Sequence, residues 1–483
     1  MRLTLTGALL LSTSGIASAQ DFTATSIFEG PTLDCYVTDS GSDTVWRLSD
    51  RNLDGDFHDP DEVVAFYDEA LGSIALGNNN SVAVARSGVV FISDTSSDLI
   101  IALVDLDGDG TAHGPGEHTV FFDGDPSVNL SGIAMESPNA IALDADGRVL
   151  VADADNGSGG TDQVLLLEDL NGDGDANDLG EARVYFEPDS FGSVGDVIPN
   201  SIDILPDGDL LYLEGGATGI VAKGLYRLSD LNGDGVIDPY SAEFDVYFTP
   251  PFLPGNAFMW DFGVAPDGTV YIADSGNDVI WRMRDQNGDG GIDNTAELDM
   301  YWVASGSSTI WTVQPTGAGE LLVAESQSPD RILVMQDLDG SGSIDQPAET
   351  RVVYQDDVSA QDISNPRGLS WRRAPALTAP TRARIGSVVP FGIRGAVGEL
   401  AVLFGSFAPL STPISLHEFG LLGLDPSFAT VYAVVEVGAD GAGRGTLQVP
   451  GTPGAVGQVL RLQALVGSIA RRSLTARHDM LVR

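Results

Sequence analysis

Short apolar segments alternate with polar turns along most of the chain, and the same order of segments returns several times. One repeat shows this clearly, with apolar segments at 139–143 and 148–152 on either side of a tight turn. A polar loop, a third segment at 163–167, an acidic loop and a fourth segment at 182–186 complete it. Runs rich in Val, Ile, Leu and Tyr between Gly, Asp and Asn turns are typical of antiparallel β structure. The pattern predicts four strands in each repeat.

The acidic loop of this repeat occurs six times, at intervals of 52 to 64 residues. Oxygen-bearing side chains stand at positions 1, 3 and 5, glycine stands at position 6, and the last three copies add an aspartate at position 9. Alternate oxygen ligands followed by glycine are typical of a chain that wraps around Ca²⁺. The predicted ligands are Asp50, Asn52 and Asp54; Asp105, Asp107 and Asp109; Asp169, Asn171 and Asp173; Asp230, Asn232, Asp234 and Asp238; Asp285, Asn287, Asp289 and Asp293; and Asp337, Asp339, Ser341 and Asp345.

Two alternatives compete for these loops. Clusters of Asp, Asn and Gly also form ordinary β-turns without a metal, but six copies in register favour calcium. Five copies carry a glutamate at position 13, one residue beyond the bidentate glutamate of an EF-hand. Strands rather than helices should flank the loops, which therefore resemble the calcium loops of integrin-α propellers or dockerins more than true EF-hands. The glutamates at position 13 are Glu62, Glu117, Glu181, Glu297 and Glu349.

Four strands per 50–60 residues, repeated radially, predict an all-β fold with a β-propeller. The first repeat begins at its second strand, and residues 365–371 look like a first strand with no repeat after it. Pairing the two would close the ring, so we expect six blades within 20–374, the first built from both ends. The turns A-D-S-G-N-D at 273–278 and P-D-G at 206–208 make the region resemble the NHL and gluconolactonase-like six-bladed propellers.

The resemblance to gluconolactonases implies an enzymatic alternative. Those propellers hold one divalent cation at the channel with Glu, Asn and Asp side chains. The segments 138–142 and 199–203 resemble the family's P-N-G-[IL]-A segments, which implies that Asn139, Asn200 and Asp261 could bind the cation, with Glu29 as the nearest candidate for the glutamate. The competing interpretation is that the asparagines only bond the backbone.

Residues 1–19 are typical of a secretory signal, with Arg2, a short apolar stretch and an A-x-A site at 17–19. No stretch is long enough to span a membrane, so we expect a protein that is secreted, periplasmic or on the cell surface. Cys35 is the only cysteine, which excludes an intramolecular disulfide. Its strand-like neighbours predict a buried core residue.

The formal net charge is −46, and residues 375–483 contribute none of the excess because they carry nine arginines against six acidic residues. A surface this negative repels nucleic acid and anionic membranes and attracts divalent cations. The break in composition predicts a separate C-terminal domain over 375–483. Strands predicted at 400–404, 431–437, 446–449 and 459–465 indicate a small β-sandwich.

All five histidines lie in or beside acidic loops or beyond residue 375, and they provide no catalytic triad or zinc cluster. We therefore expect an exported calcium-binding propeller that acts as a binding or scaffold protein, with calcium mainly structural. Its ligand, a protein, glycan or small molecule, should bind the channel face opposite the acidic loops. The aromatic connection at 250–260 could line a pocket there or plug the channel. A metal-dependent lactonase is the alternative function.

Overall fold

The structure is a computed structural model, and it describes residues 33–482 apart from short gaps at 50–54, 86–87, 107–108, 145–146, 156–160, 189–196, 217–222, 250–252, 254–256, 305–307, 317–318, 346, 360, 374–376, 379–381, 395–399, 408, 416–420, 425–429, 437–441, 457, 468–471 and 475–477. The described residues form strands and one short 3-10 helix, Pro453–Ala455. The all-β class is confirmed. Within these residues, no helix has the length and apolar character needed to cross a membrane.

Residues 33–373 contain twenty-four of the strands. The first twelve are β1 (Leu33–Asp39), β2 (Thr44–Ser49), β3 (Val63–Asp68), β4 (Asn79–Val84), β5 (Val90–Asp94), β6 (Leu99–Leu103), β7 (His118–Asp123), β8 (Pro138–Leu143), β9 (Val149–Asp153), β10 (Gln163–Leu167), β11 (Ala182–Phe186) and β12 (Pro199–Ile204). The next twelve are β13 (Leu210–Glu214), β14 (Gly224–Leu228), β15 (Phe244–Phe248), β16 (Met259–Val264), β17 (Val270–Asp274), β18 (Val279–Met283), β19 (Leu298–Val303), β20 (Thr309–Pro315), β21 (Leu321–Ser326), β22 (Arg331–Met335), β23 (Thr350–Gln355) and β24 (Pro366–Arg373).

These strands form four-stranded antiparallel sheets, as the repeat predicts. Sheets 2 to 6 each pair four consecutive strands in chain order: β4–β7, β8–β11, β12–β15, β16–β19 and β20–β23. Sheet 1 has the order β24-β1-β2-β3. Its register runs from Leu33 opposite Arg373 to Thr38 opposite Gly368, so the strand expected at 365–371 pairs with the start of the domain.

Apolar side chains of neighbouring sheets form the core. Each of six buried clusters joins two sheets that are consecutive in the chain or, in one case, sheets 6 and 1. In that last cluster Cys35 and Leu48 pack with Leu322 and Val334, and Cys35 is buried as predicted. Burial raises the pKa of its thiol. Because the sheets alternate apolar positions on both faces, every sheet contributes to two clusters.

The first strands of the sheets contact one another in sequence, with β24 serving for sheet 1: β24 contacts β4, β4 contacts β8, and so on to β20, which contacts β24. Their side chains line a common cavity. The cavity lies at the end of the sheets where the second-to-third and fourth-to-first connections run, because the first strand of each sheet begins there. The acidic loops leave the sheets from the other end.

Eleven further strands follow: β25 (Leu377–Thr378), β26 (Arg382–Ala383), β27 (Val388–Arg394), β28 (Leu400–Ser406), β29 (Pro409–Ser415), β30 (Leu421–Leu424), β31 (Thr430–Glu436), β32 (Ala442–Gln448), β33 (Val459–Gly467), β34 (Arg472–Leu474) and β35 (His478–Val482). They form sheets of the orders β25-β27-β32, β26-β35-β33-β28-β31 and β29-β30, and β34 pairs with β33 in the second of these sheets. The four predicted segments overlap with β28, β31, β32 and β33, and one apolar cluster unites this region. The domain boundary at 375 stays a prediction.

Candidate functional site

Each acidic loop connects the third and fourth strands of its sheet, from β2–β3 in sheet 1 to β22–β23 in sheet 6. This position agrees with the predicted repeat. Four of the predicted ligands, Asp50, Asn52, Asp54 and Asp107, lie outside the described residues. In the loops of sheets 3 to 6 all predicted ligand positions are described, so the geometry below comes mainly from them.

The aspartate at position 1 is held by the backbone of its own loop. In sheet 5, Asp285 accepts the N–H of Gly288 through Oδ1 (2.6 Å) and that of Gly290 through Oδ2 (2.8 Å). Gly290 has φ +95°, which a residue with a Cβ adopts only with strain. Asn287 accepts the N–H of Asp289 through Oδ1 (2.8 Å). The loops of sheets 3, 4 and 6 repeat these bonds, so the oxygen-bearing side chains are arranged around one turn.

Among the described residues, two loops bring three carboxylates together. In sheet 3, carboxylate oxygens of Asp173, Asp175 and Glu181 lie within 4.8 Å of one another. In sheet 6, Asp337, Asp339 and Glu349 do the same. All of these groups offer hard oxygen donors, the ligand type that Ca²⁺ takes, so the donor chemistry fits calcium. Asp175, at position 7, is a candidate ligand that the spacing rule for positions 1, 3, 5 and 9 does not include.

The glutamate near the end of each loop is a buried acceptor of backbone hydrogen bonds. In sheet 5, Glu297 accepts the N–H groups of Gln286 (3.1 Å) and Asn287 (3.3 Å) through Oε1 and that of Asp293 (3.2 Å) through Oε2. It therefore ties the beginning of the loop to its end. Corresponding glutamates occur in all six loops with 1 to 4% of their surface exposed: Glu62, Glu117, Glu181, Glu243, Glu297 and Glu349.

Glu243 fills this role in sheet 4 although it stands at position 14. It accepts the N–H of Asn232 (3.2 Å) and that of Asp238 (2.9 Å). Sequence spacing missed it because the glutamate was expected at position 13. One extra residue stands between Asp238 and β15, and Glu243 is nevertheless buried and accepts the same type of backbone bonds as the other five glutamates.

Each acidic loop also bonds the neighbouring sheet. The residue at position 8 is buried, and its backbone N–H donates to a carbonyl on the fourth strand of the preceding sheet. The six bonds run from Phe57 to Val353 (2.7 Å), Ala112 to Phe66 (2.7 Å), Ala176 to Phe121 (2.7 Å), Ile237 to Tyr185 (2.8 Å), Ile292 to Tyr247 (2.6 Å) and Ile344 to Tyr301 (2.8 Å). The first of them joins the loop of sheet 1 to sheet 6. A cation that ordered a loop would therefore also fasten two sheets.

Arginines reach across the same boundaries. In five of the six loops an arginine of the preceding sheet approaches the glycine at position 6; in sheet 6, a Cβ on Gly342 would lie 2.8 Å from Nη2 of Arg282. The exception is Gly174 in sheet 3, where a Cβ would meet nothing within 4 Å. These cations partly balance the carboxylates of the loops. The five arginines are Arg47, Arg183, Arg227, Arg282 and Arg351.

The cavity at the other end of the sheets is lined by side chains from β-bulges. In all six sheets the register between the first and second strands skips one residue, and each skipped residue lines the cavity. A bulge turns a side chain away from the alternation of its strand. The six residues are Asn80, Asn139, Asn200, Trp260, Trp311 and Arg367.

An acid stands next to every bulge, at the end of the second strand or, in sheet 6, one residue before it. Asp274, for example, accepts the N–H groups of Phe258 (2.9 Å) and Gly276 (3.2 Å) and the indole N–H of Trp281 (3.1 Å). Asp274 thus bonds the residue before β16 and the turn after β17, which gives the aspartate of the A-D-S-G-N-D turn a structural role. At most 1% of each acid is exposed: Asp39, Asp94, Asp153, Glu214, Asp274 and Glu325.

The structure brings Asn139, Asn200 and Asp261 to the same cavity. Asn139 and Asn200 donate their amide N–H groups to the backbone carbonyls of Pro199 (3.0 Å) and Met259 (3.1 Å). Asp261 accepts the hydroxyl of Ser201 at 2.6 Å, and burial raises the pKa of its carboxyl. Glu29 lies outside the described residues.

Arg367 is the cation of this cavity. Its Cζ lies 3.7 Å from the ring centroid of Trp311 and 6.0 Å from that of Trp260, and the two rings meet edge to face at 5.2 Å. Burial lowers the pKa of the guanidinium. A divalent cation would have to enter beside this charge, so the described lining fits such a cation poorly. Of the aromatic connection at 250–260, Trp260 lines the cavity, and Phe252 lies outside the described residues.

The sequence matches no family model and no curated protein. Among solved structures, the chain is similar to a calcium-binding protein, regucalcin, from Agrobacterium tumefaciens (12% identity, 68% of this chain and 84% of that one, TM-score 0.36). It is also similar to a virginiamycin B lyase from Staphylococcus aureus (13%, 77% and 94%, 0.36) and to a protein of unknown function from Bacteroides caccae (12%, 71% and 99%, 0.41). Because these TM-scores lie below 0.5, the architecture rests on the strand pairing described above.

Proposed function

We propose that the chain is an exported, calcium-stabilised six-bladed β-propeller that acts as a binding or scaffold protein. The observation that carries this proposal is the position-8 hydrogen bond, which links each acidic loop to the preceding sheet. Calcium in a loop would neutralise its clustered carboxylates and hold the turn that presents this N–H. The metal would then be structural, and the channel face would be left for a ligand.

The closure of the ring is part of the proposal. It is supported by the pairing of β24 with β1, by the apolar cluster that Cys35 shares with Val353, and by the bond from Phe57 to Val353. The first joins the two ends of the region within sheet 1, and the other two link sheet 1 to sheet 6. A closed ring leaves only the short outer strands of the sheets as edges.

Calorimetry of the mature protein tests the calcium role. Extracellular modules bind Ca²⁺ with a Kd of about 0.1–1 mM, and tenfold excess over Kd adds about 1.4 kcal/mol of stability per site. We expect heat on titration with calcium and a fall in Tm on chelation. Asp285→Asn combined with Asp289→Asn should reduce both effects, whereas the exposed Asp267→Asn is the matched control. Absence of heat together with an unchanged Tm would refute the calcium role.

A lactone-opening hydrolase is the second candidate. It is supported by the convergence of Asn139, Asn200 and Asp261 on one cavity. The hydrogen bonds of both asparagines to backbone and the neighbouring Arg367 weigh against it. Turnover of a lactone that disappears in Asn139→Ala, Asn200→Ala and Asp261→Ala would support this function, and turnover retained in all three variants would eliminate it.

We also propose that residues 375–483 are a separate β-sandwich-like domain and that residues 1–19 direct export. The change from a strongly acidic to a slightly basic composition supports the first, and the A-x-A site supports the second. A role in surface attachment would depend on the C-terminal domain. Removal of 375–483 should then abolish attachment to cells and leave the calcium-dependent Tm of the remaining protein unchanged.

A further inference from the structure

We propose that the cavity at the channel mouth binds a small carboxylate through Arg367, with the adjacent tryptophans providing a flat apolar wall. This inference deepens the proposed binding role because it assigns the chemistry of the ligand to the channel face. It does not require calcium in the acidic loops, which lie at the other end of the sheets.

Two buried hydrogen-bond donors in the cavity indicate a missing acceptor. Nε of Arg367 and Nε1 of Trp311 have no hydrogen-bond partner among the described residues, and both are shielded from solvent. Buried donors of native proteins are nearly always paired with protein, water or ligand. Both residues line the same cavity, and their side chains are in contact. An acceptor that entered the cavity would find both donors unpaired among the described residues.

The stacking of Arg367 leaves its donor edge for a ligand. Trp311 covers one face of the guanidinium at 3.7 Å. The N–H groups of a guanidinium lie in its plane, so a stacked arginine still presents its edge to a carboxylate and can bond both oxygens. No ion pair of Arg367 is found among the described residues, although acidic residues outnumber lysine and arginine by 70 to 24. An unneutralised cation is unexpected in such a chain.

The carboxylates of the cavity are engaged elsewhere. Asp261 bonds the Ser201 hydroxyl and the Val313 N–H, the latter at 3.3 Å. Asp203 accepts the N–H of Val264 at 2.7 Å through one oxygen. Its other oxygen accepts the N–H of its neighbour in β12 at 2.8 Å. Neither carboxylate lies within ion-pair distance of Arg367, so the guanidinium is available to a carboxylate from outside.

The remaining lining sets the character of the ligand. Trp260 stands edge to face with Trp311 and packs against Phe258, with the two ring centroids 5.7 Å apart. Nζ of Lys223, the only lysine of the chain, lies 5.6 Å from the Phe258 ring and adds positive charge near the mouth. These rings favour a flat apolar group next to the carboxylate.

Isothermal titration of the mature protein with benzoate, acetate and benzyl alcohol tests the proposal. Benzoate should bind most tightly, acetate should bind more weakly, and the uncharged alcohol should give no saturable heat. Arg367→Gln should weaken benzoate binding about 10- to 100-fold, which is the effect of losing a charge-assisted hydrogen-bond pair. The matched control is Arg148→Gln, which removes an arginine bonded to Asp144 outside the cavity and should leave affinity unchanged.

Trp311→Phe provides a second test that does not alter charge. It keeps a smaller aromatic face against Arg367 and removes the Nε1 donor, so benzoate affinity should fall severalfold. The proposal is overturned if benzoate gives no heat up to about 10 mM, or if Arg367→Gln and the parent bind it equally. Repeating the titration with chelator separates the two proposals. A Tm that does not change on chelation, with benzoate binding retained, counts only against the calcium role. A Tm that falls on chelation, with no benzoate binding in calcium or in chelator, counts only against this proposal.

Discussion

Replacement of Glu297 by glutamine tests whether the buried glutamate of the acidic loops is chiefly a clasp for the backbone or chiefly a calcium ligand. The carboxylate accepts three N–H groups, two through Oε1 and one, from Asp293, through Oε2. Glutamine keeps the acceptor at Oε1 but turns an amide donor toward the Asp293 N–H. One charge-assisted bond is lost and two donors then face each other, so we expect a loss of about 2–3 kcal/mol.

Urea unfolding in excess chelator measures this loss without any contribution from metal. If Glu297 acts mainly through its backbone hydrogen bonds, the free energy of unfolding of Glu297→Gln should fall even in the absence of calcium, because these bonds lie within the protein. Glu187→Gln is the matched control, since Glu187 is exposed and lies outside the loop. Calcium titration of the same two variants then shows whether affinity changes separately.

The opposite pattern would refute the reasoning. If Glu297→Gln is as stable as the parent in chelator and differs only in calcium affinity, the glutamate acts as a ligand and the backbone bonds contribute little. A similar loss in Glu187→Gln would show that removal of negative charge, and not the clasp, changes the stability.

Two further predictions concern burial and backbone conformation. Burial raises the pKa of Asp203 from 3.8 to about 7. The folded protein therefore holds this proton more tightly than the unfolded chain does, and it loses stability as pH rises from about 4 to 7. Asp203→Asn should flatten this pH dependence of stability in urea unfolding at constant calcium, and an unchanged slope would contradict the assignment. Gly342→Ala places a Cβ at φ +92° against Arg282, whereas Gly174→Ala places one at φ +100° in open space. Both variants should lose about 1–2 kcal/mol of stability from backbone strain, and Gly342→Ala should lose more because of the contact. Equal losses in thermal unfolding would contradict a role for the arginine contact.

The local features of the fold could be predicted from the sequence. Apolar segments and Gly-Asp turns depend on neighbouring residues, so the four strands per repeat and the position of the acidic loops between third and fourth strands followed directly. The strand at 365–371 was recognised because it lacked partners in its own repeat. The predicted burial of Cys35 was confirmed for the same local reason.

The bulges and the hydrogen bonds between sheets could not be predicted. A bulge is visible only when the register of two strands is known, so the ring that contains Trp311 and Arg367 has no sequence signature. The position-8 bonds were missed because Ile237, for example, looks like an ordinary apolar loop residue until its partner Tyr185 in the preceding sheet is known. Glu243 was missed because spacing alone does not show which carboxylate is buried.

The pairing of β24 with β1 places the last strand of residues 33–373 beside the first. A ribosome or a translocation pore releases the N-terminal strand several hundred residues before its neighbour, so β1 waits with one row of N–H and C=O groups unbonded. Any premature stop before residue 366 would leave that row permanently exposed. The first sheet can therefore be completed only after β24 has been synthesised, and a chain interrupted earlier would be a target for proteases and a template for aggregation.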